Sequence, residues 1–211
     1  PAKQLLKSST IGNLNIRKSA VGKYVNKWAK LPLAYNPGTT WEYGRSIEVL
    51  GRVLEVASNS SLDILLKEKL FTPLNMKDTA FYVDKKNFYR IAEPFKEKQP
   101  ELINIKKKPL FFTGGHGLVS TVSDYMRFCQ MMLNKGKVGN KIIVSKNTVK
   151  YMTSNQLGKN INRDKQYYLP GEGYVSGIGV AVRERSGIAS WPGSKGEDLG
   201  AGEVGTVFGI D

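Results

Sequence analysis

Few residues in this chain could do chemistry. It has one histidine, His116, and one cysteine, Cys129. An intramolecular disulfide is therefore impossible, and so is a metal site built on cysteines. A carboxylate-only site would be the remaining metal option, and no Asp/Glu cluster has the spacing of a calcium loop. No P-loop is present, and no Gly-rich stretch has dinucleotide-binding spacing after a strand. A Ser-His-Asp triad would have to use His116, and there is no Gly-x-Ser-x-Gly elbow. His116 lies between Gly115 and Gly117, which reads as a turn residue with its ring in water or on backbone groups. Cys129, within Tyr125–Leu133, reads as a buried thiol on an apolar helix face. That leaves tyrosine. Tyr43 stands in Asn36-Pro37-Gly38-Thr39-Thr40-Trp41-Glu42-Tyr43-Gly44-Arg45, where Pro-Gly marks a turn just before a helix. A tyrosine serves as a base when a neighbouring cation lowers its pKa from about 10. Residue type and place alone leave two roles open for Tyr43, packing and proton transfer.

The elements that must position these residues follow from periodicity. Val21, Tyr24, Val25 and Trp28 recur at i, i+3, i+4 and i+7, which predicts a helix from a Ser19 cap to about Lys30, stopped by Pro32. A second helix is expected over 46–58, with Leu50, Val53, Leu54 and Ala57 as its apolar face. A third starts at a capping box of Ser60 and Asp63, continues through Leu62, Leu65, Leu66 and Leu70, and closes at Thr72-Pro73. Thr79–Val83 has strand composition. Residues 84–109 read as a charged surface excursion with a short hairpin. Phe111–Leu118 is a Gly-rich turn, followed by a helix to about Asn134 that ends at Gly136. Val138–Val144 suggests a small hairpin, and Ser145 caps a short helix through Met152. From Tyr167 the period changes: Tyr174–Arg183 and Val204–Ile210 read as strands, with a loop at Trp191–Glu197 between them. The expected organisation is one partial α+β domain over 1–211, mainly helical to about residue 155 and mainly strand over about 167–211.

Bulk composition narrows the function classes. The chain has 211 residues, of which 40% are hydrophobic and 10% aromatic, ordinary values for a folded domain. No run approaches the roughly 18 apolar residues of a membrane-spanning helix. Residues 1–17 contain no apolar signal-peptide core, and the chain begins with Pro1 rather than Met. The net charge of +14 raises the question of nucleic acid. The lysines are spread out, however, with one short run at Lys106-Lys107-Lys108, and no nucleic-acid motif accompanies them. The charge is read as a Lys-rich surface that serves solubility or attraction to an anionic surface, with no nucleic-acid partner expected.

Several segments, taken in order, resemble the serine β-lactamase-like hydrolases. These are related to class C β-lactamases and penicillin-binding proteins, and the likeness is strongest to their carboxylesterase branch. Leu31-Pro32-Leu33 leading to Pro37-Gly38-Thr39-x-Trp41-x-Tyr43 is similar to the approach to the family's second motif. The tripeptide is Tyr43-Gly44-Arg45 where β-lactamases and peptidases usually have Tyr-x-Asn, and Glu48-Val49-Leu50-Gly51 follows at esterase-like spacing. Phe71-x-Pro73-Leu74-x-Met76-x-Asp78-Thr79-x-Phe81, Gly114-Gly115-x-Gly117-Leu118-Val119-Ser120-Thr121-x-x-Asp124-Tyr125 and Met152–Leu157 fit the same order. Trp191-Pro192-Gly193-Ser194-x-Gly196-Glu197 leads to the third motif.

The resemblance implies a β-lactamase/transpeptidase-like fold, a helical domain packed on a mainly antiparallel sheet, here in part. It implies acyl transfer through a serine acyl-enzyme on a small ester or amide, with no metal or organic cofactor. In the family a Lys follows the Ser in Ser-x-x-Lys, three positions on and so on the same helix face. Tyr43 would be the base beside that Ser, its phenolate favoured by the Lys charge. No Ser-x-x-Lys occurs in the 211 residues. The family places it upstream, so the chain resembles a fragment. A catalytically inactive binding protein is the alternative. At the third motif, where esterases carry Trp-Gly-Gly, this chain has Gly200-Ala201-Gly202. The backbone N–H of Glu203 would form half of an oxyanion hole, a type of donor worth roughly 3–4 kcal/mol. Glu203 puts an acid where small residues are usual. Substrate, oligomeric state and compartment, cytoplasmic or periplasmic, are not assigned by these motifs.

Overall fold

A computed structural model describes residues 21–93, 104–162, 173–185, 198–201 and 207–210. Contacts divide the chain into two compact units. Unit 1 comprises Pro1–Ala34 and Arg45–Arg127, and unit 2 comprises Tyr35–Gly44 and Phe128–Asp211.

In unit 1, α1 spans Val21–Trp28. Its apolar spacing puts Tyr24, 2% exposed, against the edge of Trp28 at 4.8 Å between ring centroids and against Phe111 at 6.1 Å. The expected cap, Ser19, lies outside the described residues. Helix α2 spans Ser46–Ser58, the predicted bounds, and ends on Asn59 in the left-handed conformation. Helix α3, Leu62–Leu66, runs into a π-helical turn over Lys67–Phe71. The expected Ser60 capping box does not form. Ser61 takes the cap position, and its hydroxyl donates to the Asp63 carboxylate at 2.5 Å rather than accepting from backbone. Leu62, Phe81 and Phe112 form the core with Leu65 and Leu66 packed on it, the Phe81 and Phe112 rings 4.9 Å apart.

Thr79–Val83 is not a strand. It contributes a single antiparallel bridge, Ala80 to Val119. Side-chain bonds hold it instead: buried Asp124 accepts from the Asp78 N–H at 2.7 Å and from the Thr79 hydroxyl at 2.9 Å. Among the described residues, 84–109 contains a 3₁₀ turn, Lys85–Arg90; residues 94–103 of the segment expected to carry a short hairpin lie outside the described residues. Helix α4 spans Val122–Leu133. Asp124, in its first turn, is thus both a helix N-terminal anion and the hook for residues 78 and 79.

In unit 2, β1 (Lys137–Val138) and β2 (Lys141–Ile142) form the expected small hairpin. Helix α5, Lys146–Met152, is capped as predicted: the Ser145 hydroxyl accepts from the Thr148 N–H at 3.0 Å. The single strand expected over Tyr174–Arg183 is two strands, β3 (Tyr174–Ser176) and β4 (Ala181–Arg183), because Gly177-Ile178-Gly179 turns the chain. They pair antiparallel and continue into β5 (Asp198–Ala201) and β6 (Val207–Ile210), in the order β3-β4-β5-β6. Trp191–Glu197 and residues 204–206 of the expected last strand lie outside the described residues. Cross-strand neighbours Tyr174 and Arg183 are both buried, and the Tyr174 hydroxyl accepts from Arg183 Nε at 3.0 Å and from its NH2 at 2.7 Å. Cys129, expected to be buried, is partly so, and burial raises the pKa of its thiol.

Candidate functional site

Tyr43 sits at the end of the Tyr35–Gly44 segment of unit 2. The turn that begins this segment has Pro37 second and Gly38 third, with Gly38 at φ 78, a conformation that favours glycine. The Thr39 N–H and hydroxyl both donate to the Asn36 carbonyl, at 3.2 and 2.7 Å. The chain then pairs in parallel with Asn162: the Trp41 N–H donates to the Asn162 carbonyl, and the Asn162 N–H to the Thr39 carbonyl, both at 2.9 Å. The Trp41 indole N–H donates to the Ser176 hydroxyl at 3.2 Å. Two residues before Tyr43, backbone and side chain are thus both fixed. The Tyr43 side chain itself is 65% exposed.

The sheet register shows what lies beside this anchor. Ser176 faces Ala181, and Ala181 faces Leu199. These three form one lateral row across β3, β4 and β5. Gly200, the first residue of the predicted oxyanion segment, follows Leu199 directly, opposite Phe208, and Ala201 is opposite Val207. At about 4.8 Å per strand spacing, Ser176 and Leu199 are roughly 10 Å apart across the sheet. The fold therefore brings the anchor of the Tyr43 segment into the row that borders Gly200 and Ala201. Gly202 and Glu203 lie outside the described residues.

A second polar cluster, in unit 1, was not foreseen. Glu48 is 5% exposed in the first turn of α2. Its carboxylate accepts from the Gly114 N–H at 2.8 Å and lies 2.7 Å from His116 Nδ1. Gly115 also donates a backbone N–H to it. His116 is therefore bonded to a buried carboxylate, not left to water or backbone as expected. Burial pushes the Glu48 carboxyl up. The His116 hydrogen bond and charge, with the N–H groups of Gly114 and Gly115, outweigh it and hold the carboxyl below its ordinary value. Tyr24 is pushed up by its own burial and by the Glu48 charge, against the opposing charge of Arg45. The close approach of α2 to the loop requires glycine. A Cβ on Gly114 would stand 2.1 Å from the Ile47 carbonyl oxygen. The signal available in the sequence was an acid at the third residue of an amphipathic helix pattern, together with the chain's only histidine.

Among the described residues, no three His, Cys, Asp or Glu side chains are placed to hold a metal ion, and no helix is long and apolar enough to cross a membrane.

Comparison with known proteins bears on this arrangement. Protein Rv1367c from Mycobacterium tuberculosis is 28% identical over 188 residues, covering 80% of this chain and 47% of that protein. Lovastatin esterase from Penicillium rubens is 26% identical over 123 residues, covering 53% of this chain and 30% of the esterase. Of solved structures, EstCE1, a hydrolase with promiscuous acyltransferase activity, superposes with a TM-score of 0.72 at 22% identity, covering 90% of this chain and 53% of that one. The chain thus spans at most about half the length of these proteins. The Beta-lactamase family model matches residues 10–211, a span that takes in the Tyr43 segment, the Gly-rich loop and the four-stranded sheet together. A penicillin-binding protein homologue from Pyrococcus abyssi shares the fold as well, and on the family match the chain belongs to the beta-lactamase family.

Proposed function

We propose that the parent protein is a serine hydrolase acting through an acyl-enzyme on a small ester or amide, with Tyr43 as the base. The nucleophilic Ser and its Lys are supplied by sequence outside these 211 residues. The Tyr43 phenolate takes the hydroxyl proton as the serine oxygen bonds to the substrate carbonyl. That proton passes to the departing alcohol or amine, and water then cleaves the acyl-serine bond. By resemblance to the family, the backbone N–H of Glu203, just after Gly200-Ala201-Gly202, would be a donor to the carbonyl oxygen. The observation that carries this reading is the lateral row Ser176–Ala181–Leu199, which joins the anchored Tyr43 segment to the start of that strand. Relatives named as esterases favour an ester as substrate.

The test is Tyr43→Phe in the parent polypeptide with a p-nitrophenyl ester. Phenylalanine keeps the ring and removes the hydroxyl. Loss of a general base lowers kcat by about 10²–10⁴-fold, while the melting temperature holds because the side chain is exposed. Turnover at the parent rate would assign Tyr43 to packing. The second reading, a catalytically inactive binding protein, is kept by the lack of Ser-x-x-Lys in the 211 residues. A fluorophosphonate probe separates the two: it labels an active serine in the parent and leaves an inactive binder unlabelled.

A further inference from the structure

We propose that a cavity in unit 1, between the π-helical turn and residues 79–84, binds a small apolar molecule carrying a single carboxylate. Every residue that lines it belongs to unit 1, so the inference stands apart from the Tyr43 segment and from the hydrolase reading.

The first wall follows from Pro73. Proline has no N–H to donate, and its ring crowds the carbonyl four residues back, here that of Lys69. The helix opens just before it. The Thr72 N–H donates to the Lys67 carbonyl, five residues back, at 2.8 Å. The Met76 N–H then donates to the Phe71 carbonyl at 2.8 Å and the Asn75 N–H to the Thr72 carbonyl at 3.0 Å, with Asn75 left-handed at φ 56. Lys67 and Phe71, the first and last residues of the widened turn, both line the cavity. Single π-helical turns are frequent at functional sites.

The opposite wall is held as firmly. The Thr79 hydroxyl is fixed on Asp124, and the Val83 N–H donates to the Ile105 carbonyl at 2.8 Å. Lys108 borders a third side, its ammonium 3.7 Å from the Asp63 carboxylate and 5.7 Å from the centre of the Phe112 ring. The cavity measures about 590 Å³, within the roughly 300–1,000 Å³ of small-molecule sites. A site whose walls are set beforehand loses little freedom on binding.

The lining selects the ligand. Phe71, Met76 and Phe81, all buried, supply apolar surface. The charged groups are Lys67, Lys77 and Lys108 against Asp63 and Asp84, an excess of one positive charge. Lys108 and Asp63 are paired with each other. Among the described residues, neither Lys67 nor Lys77 has a salt-bridge partner. A carboxylate within their reach gains charge-assisted hydrogen bonds while its apolar body covers the aromatic and methionine side chains. A neutral molecule leaves the excess charge unmatched, and a dianion adds repulsion from Asp84.

The test is isothermal titration of the parent polypeptide with 1-naphthoate and with octanoate, the aromatic and aliphatic forms of the same chemistry. Saturable binding of either acid is expected, and the tighter of the two identifies the body that the cavity takes. Lys67→Gln combined with Lys77→Gln should weaken that binding about tenfold, the loss of one good charge-assisted contact. Ile64→Trp, at an exposed position of the lining, should fill the cavity and weaken binding without lowering the melting temperature. 1-Naphthalenemethanol, which lacks the charge, should bind less tightly than 1-naphthoate. The proposal is overturned if neither acid binds saturably, or if the alcohol binds as tightly as its acid. It is overturned equally if both variants bind as wild type does, which would place the acid at another site, the catalytic centre included. The readout is heat of binding rather than turnover, so failure of the hydrolase reading with Tyr43→Phe leaves it unaffected.

Discussion

Replacing Glu48 measures how firmly α2 is tied to the Gly-rich loop. In Glu48→Ala, the Gly114 and Gly115 N–H groups and the His116 ring lose their common acceptor. A sheltered donor left unpaired costs about 1–3 kcal/mol, and a hydrogen bond to a charged group is worth about 1.5–3 kcal/mol. Gly115 is exposed, so water can take over its N–H, whereas Gly114 and His116 are only partly exposed. The sum lies near 3 kcal/mol, at the low end of the range for breaking a buried ion pair. For a chain of this length each kcal/mol is about 2–4 °C, so the melting temperature should fall by about 6–12 °C. Thermal unfolding followed by far-UV circular dichroism reads this directly. Glu48→Gln keeps the volume and one acceptor and should fall between wild type and Ala. The carboxyl is held below its ordinary value of 4.5, so its contribution is fully present above that pH and is lost as pH falls through the depressed value. The gap between Glu and Gln should therefore close as the solution is made more acidic than that value. A Glu48→Ala variant that melts within about 1 °C of wild type at neutral pH would refute the anchoring role.

Two other substitutions test neighbouring features. Gly114→Ala drives a Cβ to 2.1 Å from the Ile47 carbonyl oxygen, whereas a Cβ on Gly115 would stand 3.2 Å from the Glu48 carboxylate. The first should lower the melting temperature more than the second, because a backbone carbonyl at 2.1 Å must move much further than a side-chain oxygen at 3.2 Å; equal effects would refute the close-approach argument. Tyr174→Phe removes the hydroxyl that accepts two N–H groups of buried Arg183. Urea unfolding should show a loss of about 1–3 kcal/mol, and an unchanged midpoint would place the Arg183 guanidinium on other partners.

Much of the fold was legible where the deciding interactions are local. The bounds of α2, the Pro37-Gly38 turn, the Ser145 cap and the 137–142 hairpin each depend on residues within a few positions of one another. Expectations failed where a distant partner decides. Periodicity identified the apolar stripe of α2 correctly, but a stripe does not say which way it faces, and Leu50, Val53 and Leu54 are exposed. The direction was set by Glu48 finding Gly114 and His116, more than sixty positions away. Thr79–Val83 has strand composition, yet Asp124 holds its start through side-chain bonds. The Ser60 box failed by one residue because Ser61 took the cap position. In the segment that leads to Tyr43, the Pro37-Gly38 turn was visible in the sequence, while the Trp41–Ser176 and Thr39–Asn162 contacts were not.

The anchoring of Trp41 has a consequence for how the protein matures. Trp41 and Ser176 are 135 positions apart in sequence. Loop-closure entropy grows only with the logarithm of length, so a link over this distance costs little more than a shorter one once made. The penalty is in time, because contacts this remote form slowly. The segment carrying Tyr43 is therefore expected to reach its place only after strand β3 has been synthesised and folded. Trp41 makes that step observable: the change in its indole emission on binding Ser176 would mark when the Tyr35–Gly44 segment of a nascent or refolding chain joins strand β3.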